Sequence, residues 1–162
     1  MADLSRRDVI FLIRDHSGEF PDGGRRLLRL AGVDLSGVDL SRLDLSCVDF
    51  SRADLTHTLL VDADLSHCRF GAAQLRGANL RGANCSFAHF EEADLQEVIA
   101  IDACFDGARL IHCDLRQADF SRVSLTFTRH LGLALEGTRL KEVKEAFEAC
   151  GVDSLEEAHS PY

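Results

Sequence analysis

The sequence predicts an all-β solenoid, a chain wound in short coils around an apolar interior. Two interleaved series predict it. Leu or Phe recurs every five residues from Leu30 to Leu125, filling 18 of 20 successive sites, with Cys85 and Ala100 as the exceptions. A smaller residue stands two positions before each, from Leu28 to Val123. Ten of those 20 are Ala, and Thr58 is the only polar one. No insertion breaks the register over this span.

A period of five is neither the 3.6 of a helix nor the 2 of a strand. Apolar sites two apart point to the same side of an extended segment. An odd repeat cannot sustain that alternation, because the next pair would face outward. The chain must therefore turn after each pair. Turning once per five residues, always in the same sense, winds it into a coil. The larger residue fills the interior and the smaller one fits where the walls crowd it. Between the two series lies a site that is Asp or Asn in 11 of 20 cases, such as Asp34, Asp54, Asn79 and Asp119. Short carboxylate and amide side chains there can bond nearby backbone.

The units Ala53-Asp54-Leu55-Thr56-His57, Ala78-Asn79-Leu80-Arg81-Gly82 and Ala93-Asp94-Leu95-Gln96-Glu97 carry the pattern in full. On these units the chain resembles the pentapeptide-repeat proteins. The resemblance implies a right-handed quadrilateral β-helix with four repeats per coil, hence about five coils. A period of 20 then stacks Phe50, Phe70 and Phe90 in one interior column, and Leu35, Leu55, Leu75, Leu95 and Leu115 in another.

The ends of a solenoid expose its interior and need covering. Residues 1–27 read as an N-terminal helical cap and loop. Ser5 and Asp8 have capping-box spacing, Leu4 and Val9 that of a hydrophobic staple, and Val9, Leu12 and Ile13 form an apolar stripe. Gly18 and Pro21 mark its end. The repeats are assigned to 28–138. Residues 139–162 read as a C-terminal helical segment with Leu140, Val143 and Phe147 on one face. It serves either as a cap or, as the resemblance suggests, as a dimer contact that joins two solenoids into a homodimer.

Composition bounds the function. The formal net charge is −9, which opposes direct contact with nucleic acid phosphates and suits a partner protein with a basic surface. Val9–Ile13 is too short for a secretion signal or a membrane span, so a cytoplasmic protein that does not engage membranes is expected. Six cysteines, none in a Cys-x-x-Cys pair, match neither a zinc site nor a disulfide framework. By repeat phase His57, His67, His89 and His112 point outward without gathering acids or cysteines. No catalytic constellation, cofactor fingerprint or metal site is expected, and the chain reads as a non-enzyme.

Function is then expected on the outer positions. The candidate acidic surface comprises Asp34, Asp39, Asp44, Asp49, Asp54, Asp94 and Asp114. The candidate apolar interaction surface comprises Leu59 and Val61, Ile99 and Ile101 with Arg81 between the pairs, and Phe87 and Phe127 on another face. The expected role is a protein-interaction or scaffold module acting through acidic outer faces. The alternative follows from the resemblance alone. One branch of the family mimics DNA and binds the type II topoisomerases, DNA gyrase or topoisomerase IV.

Overall fold

The computed structural model describes residues 3–16 and 28–143. In the second span each five-residue unit makes a short extended stretch and one turn. In the turn Leu30–Val33 the amide of Val33 donates to the carbonyl of Leu30 (3.3 Å). Its third residue, Gly32, has φ +71°. Positive φ at the third position alone is the type II signature. The same position has positive φ in every unit from Gly32 to Glu142, and in most units it is not glycine. A left-handed residue costs roughly 1–2 kcal/mol when it carries a side chain. The fold accepts that cost because this reversal points the next apolar pair inward.

Successive coils pair in parallel, and every bridge joins residues twenty apart. The column Arg29, Asp49, Arg69, His89, Arg109 and Arg129 is one example. Three further columns begin at Asp34, Asp39 and Asp44, so one turn of the coil has four sides. Among the described residues only two rungs are long enough to be strands. These are β1 (Arg109–Ile111) and β2 (Arg129–Leu131), which pair in parallel.

The interior is apolar and closely filled. Leu35, Leu55, Leu75, Leu95 and Leu115 are all buried. Phe50, Phe70 and Phe90 stack nearly parallel, with centroids 5.3 and 4.7 Å apart. Phe105 and Phe120 continue the aromatic run at steeper angles. Each buried Leu or Phe contributes roughly 1.5–3 kcal/mol. Thr58, the polar outlier of the small series, donates its hydroxyl to the Leu35 carbonyl at 2.9 Å. Cys68 bonds the Leu45 carbonyl in the equivalent way. Burial holds the thiols of Cys68 and Cys85 well above the usual range and pushes Cys113 up to about 12, which keeps them protonated and unreactive.

Helix α1 (Arg6–His16) lies against the first coil. Ser5 and Asp8 form the expected box: the Ser5 amide donates to Asp8 Oδ2 (2.8 Å), and the Asp8 amide to Ser5 Oγ (3.3 Å). Val9 is fully buried, and Leu4, Leu12 and Ile13 pack beside it against the core. The Asp3 amide donates to the Asp34 carbonyl, and Arg6 donates to the carbonyls of Asp39 and Ser41.

The far end departs from expectation. Leu140 and Val143 do not begin a helix but continue the repeat. Arg139 bridges Asp119, the Arg122 amide donates to the Lys141 carbonyl, and Val143 is buried. The reason is an ambiguity of spacing. An interior residue and the next small residue stand three apart in this repeat, as do two residues on one helical face. The coils therefore run past residue 138 to the end of the described span, and Phe147 lies outside the described residues.

Candidate interaction surface

The outer surface is built from the middle residue of each rung, and eleven of these are Asp or Asn. In all eleven the side-chain Oδ1 accepts a hydrogen bond from the backbone amide two residues on, as in Asp34 to Ser36, Asp54 to Thr56, Asn79 to Arg81 and Asp114 to Arg116. That amide has no place in the ladder between coils, so the carboxylate supplies its acceptor. The bond makes the motif acid part of the fold. It also holds Asp34 and Asp39 below the usual carboxylate range, through the hydrogen bonds from Ser36 and Ser41. At Asp114 the main cause is the Arg116 guanidinium.

The four sides differ in chemistry, and the expected acidic surface is divided among them. Asp34, Asp54, Asp94 and Asp114 do align, with Gln74 between Asp54 and Asp94. Asp44 belongs to a second acidic side with Asp64 and Asp106. There Asp106 accepts hydrogen bonds from the Ser124 hydroxyl and the Thr126 amide. Asp39 lies on a third side, where Arg6 contacts it (3.3 Å). Asp49 lies on the fourth, between Arg29 and Arg69 in a column that continues through His89, Arg109 and Arg129. Glu91 approaches Arg109 Nε at 3.0 Å on that side. A rod that is acidic overall thus carries one arginine-rich side. Sequence reasoning missed it because the coil length was applied to the interior and to the apolar outliers but not to the arginines, which stand 20 or 40 residues apart.

The apolar candidates separate into two groups. Leu59 and Ile99 occupy the motif-acid position of their rungs, in the column Asp39, Leu59, Asn79, Ile99, Asp119 and Arg139. They are 41% and 39% exposed. Val61 and Ile101 follow on the same side, both half-buried. The rung between the two apolar pairs carries Asn79 and Arg81. With no Asp at 59 or 99, the amides of Val61 and Ile101 have no side-chain acceptor among the described residues. Both rungs give up a motif bond and present aliphatic surface instead.

Phe87 and Phe127 stand elsewhere, at the turn position of a corner column rather than on a flat side. Phe127 is 86% exposed. The Phe87 ring stacks on His67 (centroids 5.1 Å) and leans over Gly107, where an added Cβ would come within 2.6 Å of the ring. The same relation joins His57 to Gly77, Asp62 to Gly82, His112 to Gly132 and Gln117 to Gly137. A glycine at a turn position lets the side chain twenty residues earlier fold over it. That pairing was readable in the sequence once the period was known.

Among the described residues no group of His, Cys, Asp or Glu could hold a metal ion, and no helix is long and apolar enough to cross a membrane. Cys104 lies on the outside, 3.2 Å from the Ser86 hydroxyl.

The family model for pentapeptide repeats matches eight copies, over residues 29–60, 58–96 and 103–141. No curated protein matches the chain. Among solved structures, a pentapeptide repeat protein from the thylakoid lumen of Arabidopsis thaliana is 24% identical. That match covers 65% of this chain and 73% of that one, with a TM-score of 0.62. HetL is a pentapeptide repeat protein involved in heterocyst differentiation regulation, from the cyanobacterium Nostoc sp. strain PCC 7120. It is 28% identical over 74% of this chain and 61% of its own, with a TM-score of 0.54. QnrB1, a plasmid-mediated fluoroquinolone resistance protein, is 26% identical over 78% of this chain and 85% of its own, with a TM-score of 0.28. The family match and the first two structures imply a right-handed β-helix solenoid.

Proposed function

This chain belongs to the pentapeptide repeat family, and from that premise we propose that it is a non-catalytic protein-interaction or scaffold module that works through its outer faces, the acidic ones included. The observation that carries this reading is the division of labour in each repeat. The interior positions are consumed by packing, while the outer positions differ sharply from side to side. Segregation of acidic, arginine-rich and aliphatic sides is not required by the coil, whose backbone is the same on all four. It suits a rod that presents different chemistry in different directions.

A second reading, binding to DNA gyrase or topoisomerase IV through a duplex-like acidic surface, draws on the aligned Asp34, Asp54, Asp94 and Asp114. The arginine-rich side weighs against it, because duplex DNA is anionic all round. Titrating the protein into a gyrase supercoiling reaction, with and without a quinolone, separates the readings. The module reading expects neither inhibition nor protection. For the module itself, chemical cross-linking in cells of the source organism should yield discrete adducts through the acidic sides. Loss of every adduct when Asp94 and Asp114 are changed to Lys would assign the contact to that side, and the absence of any adduct would count against the module reading. A cytoplasmic setting and a homodimer through the C-terminal end belong to the same proposal. Light scattering tests the dimer.

A further inference from the structure

The side that carries Leu59, Val61, Ile99 and Ile101 has a geometry that selects one kind of occupant. Adjacent rungs of a parallel ladder lie about 4.8 Å apart. The two aliphatic rungs therefore stand about 9.6 Å apart along the coil axis, with Asn79 and Arg81 midway. Asn79 Oδ1 is engaged by the Arg81 amide (3.1 Å). Arg81 is exposed and has no ion-pair partner within 4 Å among the described residues. Of the carboxylates on the neighbouring corner, Asp62 faces Arg42 (3.9 Å), and Asp102 holds Arg122 through two hydrogen bonds of 2.7 Å and attracts Arg81 more weakly. The patch thus reads aliphatic, cationic, aliphatic along one line.

An α-helix rises 1.5 Å per residue, so its positions i, i+3 and i+7 lie at about 0, 4.5 and 10.5 Å along one stripe. That matches the three rungs within about 1 Å. We propose that this side docks an amphipathic helix of a partner protein, laid along the coil axis, whose contact stripe is aliphatic at i, acidic at i+3 or i+4 and aliphatic at i+7. The acid meets Arg81, and the aliphatic residues meet the Leu59–Val61 and Ile99–Ile101 pairs. A second copy of this chain is a poor occupant. A two-fold contact centred on the patch would set Arg81 against Arg81. The inference rests on the interaction-module reading and names the chemistry of one of its partners.

The fold supplies a test that leaves stability intact. Asp is the motif residue for positions 59 and 99, so Leu59→Asp with Ile99→Asp introduces the bond made at eleven other rungs while it removes the patch. The probe is a fluorescein-labelled, side-chain-stapled helical peptide of about eighteen residues with Leu at i and i+7 and Glu at i+3. A second probe has Lys in place of Glu. Fluorescence anisotropy should show the Glu probe binding at least about tenfold tighter than the Lys probe to the unaltered protein, a gap set by one charge pair. Arg81→Glu should reverse that preference. The double Asp variant should lose at least about tenfold for the Glu probe with an undiminished melting temperature. Equal affinity for the two probes, no binding of the Glu probe up to millimolar concentration, or indifference to Arg81→Glu overturns the proposal. So does a wild-type oligomer that the double Asp variant converts to monomer, since the face would then be a self-contact. None of these outcomes bears on contacts made through the acidic sides, so the module reading stands or falls separately.

Discussion

The Asp34 side and the Leu59 side share one backbone and one register, yet they use the middle position of the rung differently. On the first, Asp34, Asp54, Asp94 and Asp114 each accept the amide two residues on. On the second, Leu59 and Ile99 leave that amide without a side-chain acceptor and stand exposed. The lesson is that an acid on this surface is first a fold element. A departure from it is more informative about function than its presence. A motif acid therefore says less about binding than a departure from it, and the two aligned aliphatic departures give up the motif bond.

The largest expected effect tests what the two sides have in common. Leu75 lies beneath the Asp34 side and Leu60 beneath the Leu59 side, both fully buried. Leu75→Lys and Leu60→Lys should each abolish the cooperative melting transition, because an ammonium cannot be buried unpaired. Gln74→Lys, one residue from Leu75 but exposed, should leave it intact. Similar melting curves for the Leu75 and Gln74 variants would overturn the inside–outside assignment.

A smaller effect is expected at a corner. Gly107→Ala should cost roughly 1–2 kcal/mol, since the residue keeps φ +69° and the new methyl displaces the Phe87 ring. Denaturant melts measure the cost, and the aromatic NMR shifts of Phe87 report the displacement.

Next come the motif acids. Asp54→Ala should cost about 1 kcal/mol, the net worth of one hydrogen bond, whereas Asp54→Asn should cost less, because Asn79 and Asn84 make the same bond. The acids also give the fold a pH dependence. Asp34, Asp39 and Asp114 are held below their ordinary value in the folded state. Their contribution is therefore present above the unfolded-state pKa of about 3.9 and is lost as pH falls through the lower folded value. Melting temperature should hold from neutral pH to about 5 and then decline. Asn at all three positions should flatten the decline, and an unchanged profile would show that these bonds contribute nothing.

The smallest effect carries the opposite sign. Leu59→Asp adds a motif bond and should raise stability by a few tenths to about 1 kcal/mol. A marked loss would mean that Leu59 supports the fold after all, and the contrast between the two sides would vanish.

The sequence by itself determined the coil. The period of five, its odd parity and the alternation of large and small apolar residues fix which side chains face inward, and the capping residues of α1 could be read directly from Ser5, Asp8 and Val9. It put the C-terminal boundary too early, at residue 138, because a spacing of three between Leu140 and Val143 fits a helix and a repeat equally well and was read as a helix. Only the tertiary structure decided what chemistry each side carries as a whole. Bridges between residues twenty apart confirm the spacing of Leu59 and Ile99 that the resemblance implied, and they gather Arg29, Arg69, Arg109 and Arg129 on one side, which no local pattern contains. The physical reason is that the interior obeys a five-residue rule set by the chain itself, whereas the surface obeys the length of one full turn, which packing between coils sets.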